Sequence, residues 1–185
     1  MSTATQAPAP GAVARLSARL DAVGSLIGAL SAWLTLGLVL LVAANVLLRY
    51  LFRVGSVWSQ ELEWHLLVPI ALFGSVYAMR AREHVQVDIV YERLSESGRR
   101  FIDLLAALVT IVVSVLLIKY SLPYVGQSYR ILEGSPDPGG LPARYVLKAL
   151  IPVGFALLAL QGLADLLRQV VYFMGQERPD TPDPA

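Results

Sequence analysis

Residues 26–48 read LIGALSAWLTLGLVLLVAANVLL, a run without a charged side chain, bounded by Asp21 on one side and Arg49 on the other. A helix needs roughly 20 apolar residues to cross a hydrocarbon core about 30 Å thick, and this run exceeds that length. The interior of a bilayer offers no water to backbone N–H and C=O groups, so a run of this kind must be helical. It is also too long for a cleaved secretion signal, whose apolar core is about 7–15 residues followed by a small-residue cleavage site. The stretch therefore reads as a retained anchor and sets the fold class: an all-α integral membrane protein.

Working outward, three further stretches read as spans. The second, from about Trp58 to Met79, has a short apolar part (Leu66 to Met79) and carries Glu61, Glu63 and His65 in its first turns. Ser56 or Ser59 suits the cap, the acids suit the positive end of the helix dipole, and Trp58 and Trp64 suit aromatic anchors at the interface. Alone, this segment also fits a buried soluble helix; its place between stronger spans favours the membrane. The third, from about Leu104 to Tyr124, is interrupted only by Lys119. The fourth, from about Pro142 to Leu167, follows a breaker-dense loop, Gly134 to Pro142. Pro142 suits a first helical turn, and Pro152 should kink the helix. The membrane domain thus covers about 22–174, with spans near 26–48, 58–79, 104–124 and 142–167. Tails at 1–21 and 175–185, rich in proline and small residues toward the ends, are expected to be disordered.

Composition agrees. Of 185 residues, 56% are hydrophobic and 16% charged, and the mean hydropathy is +0.59, against about a quarter charged in soluble domains. A net charge of +1 gives no electrostatic basis for nucleic-acid binding, and the absence of cysteine removes disulfides and thiolate chemistry. Arginine and lysine placement gives the orientation. Arg15, Arg19, Arg80, Arg82, Arg93, Arg99, Arg100, Arg168 and Arg178 fall on the side of the termini. Arg49, Arg53, Lys119, Arg130, Arg144 and Lys148 fall on the other. Both termini are expected in the cytoplasm.

Between spans two and three, Val87, Val90, Tyr91 and Leu94 recur at helical spacing, opposed by Asp88, Glu92 and Glu96. This pattern fits a short amphipathic helix on the cytoplasmic face and equally fits a solvated connector. His65 and His84 are nineteen positions apart, about 28 Å on a continuous helix, so they cannot share one haem. Glu61 and His65 lie on one helix face, as a proton relay would require, but the polar neighbours favour an interfacial helix start facing water or a partner subunit. Lys119 fits a lysine snorkelling to the outer interface, with a salt bridge to another subunit as the alternative. Gly24, Gly28 and Ala32, and again Gly74 and Ala78, form small-xxx-small patterns for close helix packing. No nucleophile–base pair, phosphate loop or metal-ligand cluster is present, which weakens every enzymatic reading.

The pieces together resemble a family. Asn45-Val-Leu-Leu-Arg49-Tyr50-Leu-Phe52 closes span one, Trp58-Ser-Gln-Glu61-Leu62 opens span two, and Arg80 is followed by His84-Val-Gln-Val-Asp88. Gly140-Leu-Pro142 with Pro152 and Gly154 opens span four. In order and spacing these are similar to the small membrane subunit (DctQ-like) of TRAP, or tripartite ATP-independent periplasmic, transporters, over about residues 24 to 170. The resemblance implies a four-helix scaffold in a bacterial inner membrane, joined to a large multi-span permease subunit and working with a periplasmic substrate-binding protein. It implies symport of organic anions such as dicarboxylates with sodium, the sodium and substrate sites lying in the permease. No cofactor is expected in this chain. Arg49 and Arg53 would meet lipid phosphates or acids of the binding protein; Arg80, His84 and Asp88 would shape the inner connector. An autonomous small oligomeric transporter and a membrane anchor for a redox enzyme are the competing readings.

Overall fold

The computed structural model describes residues 12–81 and 94–173. They form four helices: α1 (Ala12–Phe52), α2 (Val57–Ala81), α3 (Glu96–Arg130) and α4 (Arg144–Phe173). Each is long and apolar enough to cross a membrane. Neighbours in sequence run antiparallel. One end of the bundle therefore carries the connections 53–56 and 131–143 (the loop end), and the other carries the outer ends of α1 and α4 (the terminal end). α4 packs against all three other helices, most extensively against α3. α1 and α2 pair with each other, and α3 rests on α4 as an edge helix.

Small residues make these approaches possible, as expected where lipid tails give helices no hydrophobic reason to associate. On α1, Gly28 receives Tyr77 of α2, and Gly24 receives Gln161 of α4 together with the stem of Arg80. On α4, Gly154 lies against Leu72 and Gly162 against Ile111, beside the buried Ala107. The α1 stripe continues at Ser31, whose buried hydroxyl donates to the Ile70 carbonyl at 3.1 Å, and not at Ala32, which is exposed. Few large apolar side chains are buried: Phe73, Val76 and Met79, all on α2. Most of the rest face outward, an arrangement suited to lipid and not to water.

Polar side chains sit in two layers. Asp21, Arg80, Asp103, Asp165 and Arg168 mark the terminal end; Asn45, Glu61, Glu63, Tyr124 and Lys148 mark the loop end. Along α4, Lys148 to Arg168 spans about 30 Å, and along α3 Asp103 to Tyr124 spans about 32 Å, at 1.5 Å per residue. That matches the hydrocarbon thickness.

The helices outrun the expected spans. α1 begins at Ala12, inside the segment expected to be a disordered tail. Pro142 lies before α4 and not in its first turn, because Ala143 has φ 61 and interrupts the helical backbone. Arg53 (φ 56) and Leu132 (φ 46) end α1 and α3 in the same left-handed region, so all three such non-glycine residues lie at the loop end. For Arg53 the αL cap is direct: its N–H still reaches the Arg49 carbonyl at 3.1 Å. The expected amphipathic helix, with His84 and Asp88, lies outside the described residues; Leu94 and Glu96 lead into α3, capped by Ser95 Oγ accepting from Gly98 N.

Candidate functional site

At the loop end, the α3–α4 connection is folded back onto the first turns of α2. Ser135-Pro136-Asp137 makes a tight turn in which Ser135 Oγ accepts from Asp137 N at 3.1 Å. Gly140 N donates to Asp137 O, and Ser135 N to Leu141 O, both at 3.0 Å. This closes a small ring of backbone whose inner side presents Leu141 N–H and the Ser135 hydroxyl. Glu61 fills it: its carboxylate accepts from Ser135 Oγ and, at 2.6 Å, from Leu141 N. The fit needs glycine at 140, since a Cβ there would lie 2.7 Å from Glu61 Oε2 and 2.5 Å from Ser135 Cβ. Glu61 is only 3% exposed. The expectation that it faces water or a partner is thereby corrected: the loop covers it, because two donors replace the water a carboxylate would otherwise demand.

A second carboxylate ties the same loop to α4. Glu133 accepts from Lys148 Nζ at 2.5 Å, and Arg144 N donates to the Glu133 carbonyl at 2.8 Å. The Lys148 ammonium holds the Glu133 carboxyl below the usual carboxylate range and sits 4.1 Å from the centroid of the Tyr124 ring. Arg144 lies over Trp64, 5.4 Å from its centroid. Nearby, Asn45 donates to Glu63 at 2.6 Å, joining α1 to α2. His65 Nδ1 donates to the Glu61 carbonyl at 2.7 Å, while its Nε2 is buried without a partner among the described residues.

The terminal end is held by ions. Arg168 donates to Asp21 Oδ2 at 2.5 Å and to Asp165 Oδ1, and Gln161 donates to Asp21 Oδ1 at 3.2 Å, so α4 is fastened to the start of α1. On the other face of α4, the buried Gln169 lies 3.5 Å from Asp103 of α3.

The residues singled out from sequence are thus distributed, not gathered. Arg49, Tyr50, Arg53 and Trp58 are exposed around the α1–α2 connection, Glu61 is the buried latch, and Arg80 stands at the opposite end beside Gly24. Lys119 is exposed on α3. Sequence reading missed Ser135, Glu133, Arg144, Lys148, Asp21 and Arg168. One signal was available: two of the resembling motifs, Trp58-Ser-Gln-Glu61 and Gly140-Leu-Pro142, touch through Glu61 and Leu141. Among the described residues no group of three or more His, Cys, Asp or Glu is placed to hold a metal ion. The arrangement fixes backbone shape.

Comparison with known proteins agrees with this geometry. Residues 38–171 match the family described as tripartite ATP-independent periplasmic transporters, DctQ component. The chain is 28% identical over 158 residues to the ectoine TRAP transporter small permease protein TeaB of Halomonas elongata, covering 82% of this chain and 79% of that protein. It is 35% identical over 125 residues to the C4-dicarboxylate TRAP transporter small permease protein DctQ of Rhodobacter capsulatus, covering 65% of this chain and 52% of that one. A third match, 26% identical over 107 residues, is to the sialic acid TRAP transporter permease protein SiaT of Haemophilus influenzae; it covers 58% of this chain and 17% of SiaT.

Proposed function

Since the chain belongs to the DctQ components of the tripartite ATP-independent periplasmic transporters, we propose that it is the small subunit bracing a large multi-span permease during ion-coupled uptake of an organic anion. The observation that carries this reading is how little of its own apolar surface the bundle covers. Trp33, Leu40, Phe101, Leu105 and Val115 are all at least half exposed on α1 and α3. A bundle that buries so little of itself is built to be covered by lipid and by another membrane protein.

On this reading the chain sits in a bacterial inner membrane with both termini in the cytoplasm, the sense given by its arginines and lysines. The loop end then faces the periplasm, where a binding protein would deliver substrate. The connections there are stiffened by Glu61, Glu133 and three left-handed residues, which suits a surface that must keep its shape during repeated docking. Arg49 and Arg53 are exposed beside it and suit lipid phosphates or acids of the binding protein. Sodium and substrate are assigned to the permease, as the family resemblance implies. Relatives are named for ectoine, a C4-dicarboxylate and sialic acid, all of which carry a carboxylate. A carboxylate-bearing solute, such as a dicarboxylate, is therefore the substrate class proposed here.

The test is co-purification in mild detergent of the tagged chain expressed with its neighbouring permease, followed by mass spectrometry. Recovery of the permease in near-equal amount supports the reading. A chain recovered only with itself refutes it and favours an autonomous oligomeric transporter.

A further inference from the structure

We propose that Lys119 is an intramembrane anchor through which α3 pairs with a carboxylate of the large permease subunit, an inference that rests on the function proposed above. α3 packs chiefly on α4, and Lys119 is exposed together with Val112, Val115, Leu116 and Leu122. The residue lies five positions before Tyr124, about 7.5 Å inside the loop-end polar layer at 1.5 Å per residue. From Asp103 of the opposite layer it is about 24 Å away by the same measure.

Direction decides between lipid and protein. Side chains of an α-helix tilt toward its N-terminus, and α3 runs from the terminal end to the loop end. The Cα–Cβ bond of Lys119 therefore leaves the helix toward the bilayer centre, away from the nearer headgroups. Its Nζ lies 5.7 Å from the centroid of the exposed Tyr120 ring.

A second feature coincides with the first. Pro123, also exposed, has no N–H to give to the carbonyl of Lys119. One residue thus offers a cation and a freed backbone acceptor within the hydrocarbon, where both are costly and where such groups ordinarily face protein. Of this chain's carboxylates at the loop end, Glu61 is engaged by Ser135 and Leu141, Glu63 by Asn45 and Glu133 by Lys148, while Asp137 is exposed in the α3–α4 connection. Charge complementarity asks for a carboxylate from outside. SiaT, a permease protein in which the matching segment is a small part of a longer chain, favours the permease over a second copy of this subunit.

The experiment uses the full chain co-expressed with its permease. In an otherwise wild-type chain, Tyr120→p-benzoylphenylalanine is irradiated in membranes; in parallel, Lys119→Arg, Lys119→Met and Lys119→Glu are compared by co-purification. The expected result is a cross-link to the permease, recovery retained by Lys119→Arg, and recovery lowered roughly tenfold by Lys119→Glu, about 1.4 kcal/mol, with the subunit's membrane level unchanged. A cross-link only to lipid or to a second copy, or equal recovery for all three variants, overturns the anchor while leaving the scaffold reading standing. Failure of the wild-type chain to recover any permease overturns both.

Discussion

Gly28→Ala should be damaging although it adds a single methyl to a helix. The added Cβ would lie 2.7 Å from Tyr77 Cγ and 3.0 Å from Tyr77 Cβ. The ring can rotate away, but the Tyr77 Cβ is fixed to the α2 backbone, so α1 and α2 must separate locally. Overpacking of this kind costs about 1–3 kcal/mol, partly offset by the gain of about 0.5–1 kcal/mol when alanine replaces glycine in a helix. The expected net loss is about 1–2 kcal/mol. Gly37 and Gly126 have open space where a Cβ would be. Gly37→Ala and Gly126→Ala should therefore keep only the gain. Reversible unfolding in mixed SDS–maltoside micelles, followed by helix content and by fluorescence transfer across the α1–α2 connection, measures all three. Tyr77→Ala added to Gly28→Ala should recover about 1 kcal/mol as a coupling between neighbours. If Gly28→Ala is as stable as Gly37→Ala, the close α1–α2 approach described here is wrong.

Three further outcomes follow from the polar layers. Glu61→Ala and Gly140→Ala should each release the α3–α4 connection, seen as hydrogen exchange at the Leu141 amide faster by roughly tenfold or more, with helix content unchanged. Glu133 is held ionised by Lys148, so its folded pKa is depressed. Its stabilising contribution is present above the unfolded carboxylate value and disappears as pH falls through the lower folded value. Thermal unfolding between pH 7 and pH 3 should show this acid loss, and Glu133→Gln should flatten it. Arg168→Met should cost about 2 kcal/mol in the micelle assay, less than the 3–5 kcal/mol of a fully buried pair because its partners are about a sixth exposed. Adding Asp21→Asn should recover part of that.

Residues 26–48 and their three counterparts sufficed to read an all-α, four-span membrane protein, because a bilayer leaves an apolar run of that length one backbone solution. Positions of Gly24 and Gly28 at packing contacts were legible for a related reason: only small residues let membrane helices meet closely. Helix ends were less so. Ala12–Asp21 is helical outside the apolar run, and the backbone at Ala143, which excludes Pro142 from α4, carries no mark in its residue type. The latch was illegible for a different reason. Glu61 and Leu141 are eighty positions apart, and nothing local distinguishes a first-turn glutamate facing water from one covered by a distant loop. The same holds for Asp21 and Arg168, whose pairing needs the order of helices in space.

α4 packs extensively against each of the other three helices, and it is the last of the four to leave the ribosome. α1 and α2 can enter the membrane as a finished hairpin, with Tyr77 already seated on Gly28. α3 cannot: it must wait in lipid, with its face around Ala107 and Ile111 uncovered, until α4 arrives. The Arg168–Asp21 contact then joins the last helix to the first. Biogenesis therefore contains an interval in which a half-made subunit displays an unaccompanied third helix, and membrane quality control would act on it there.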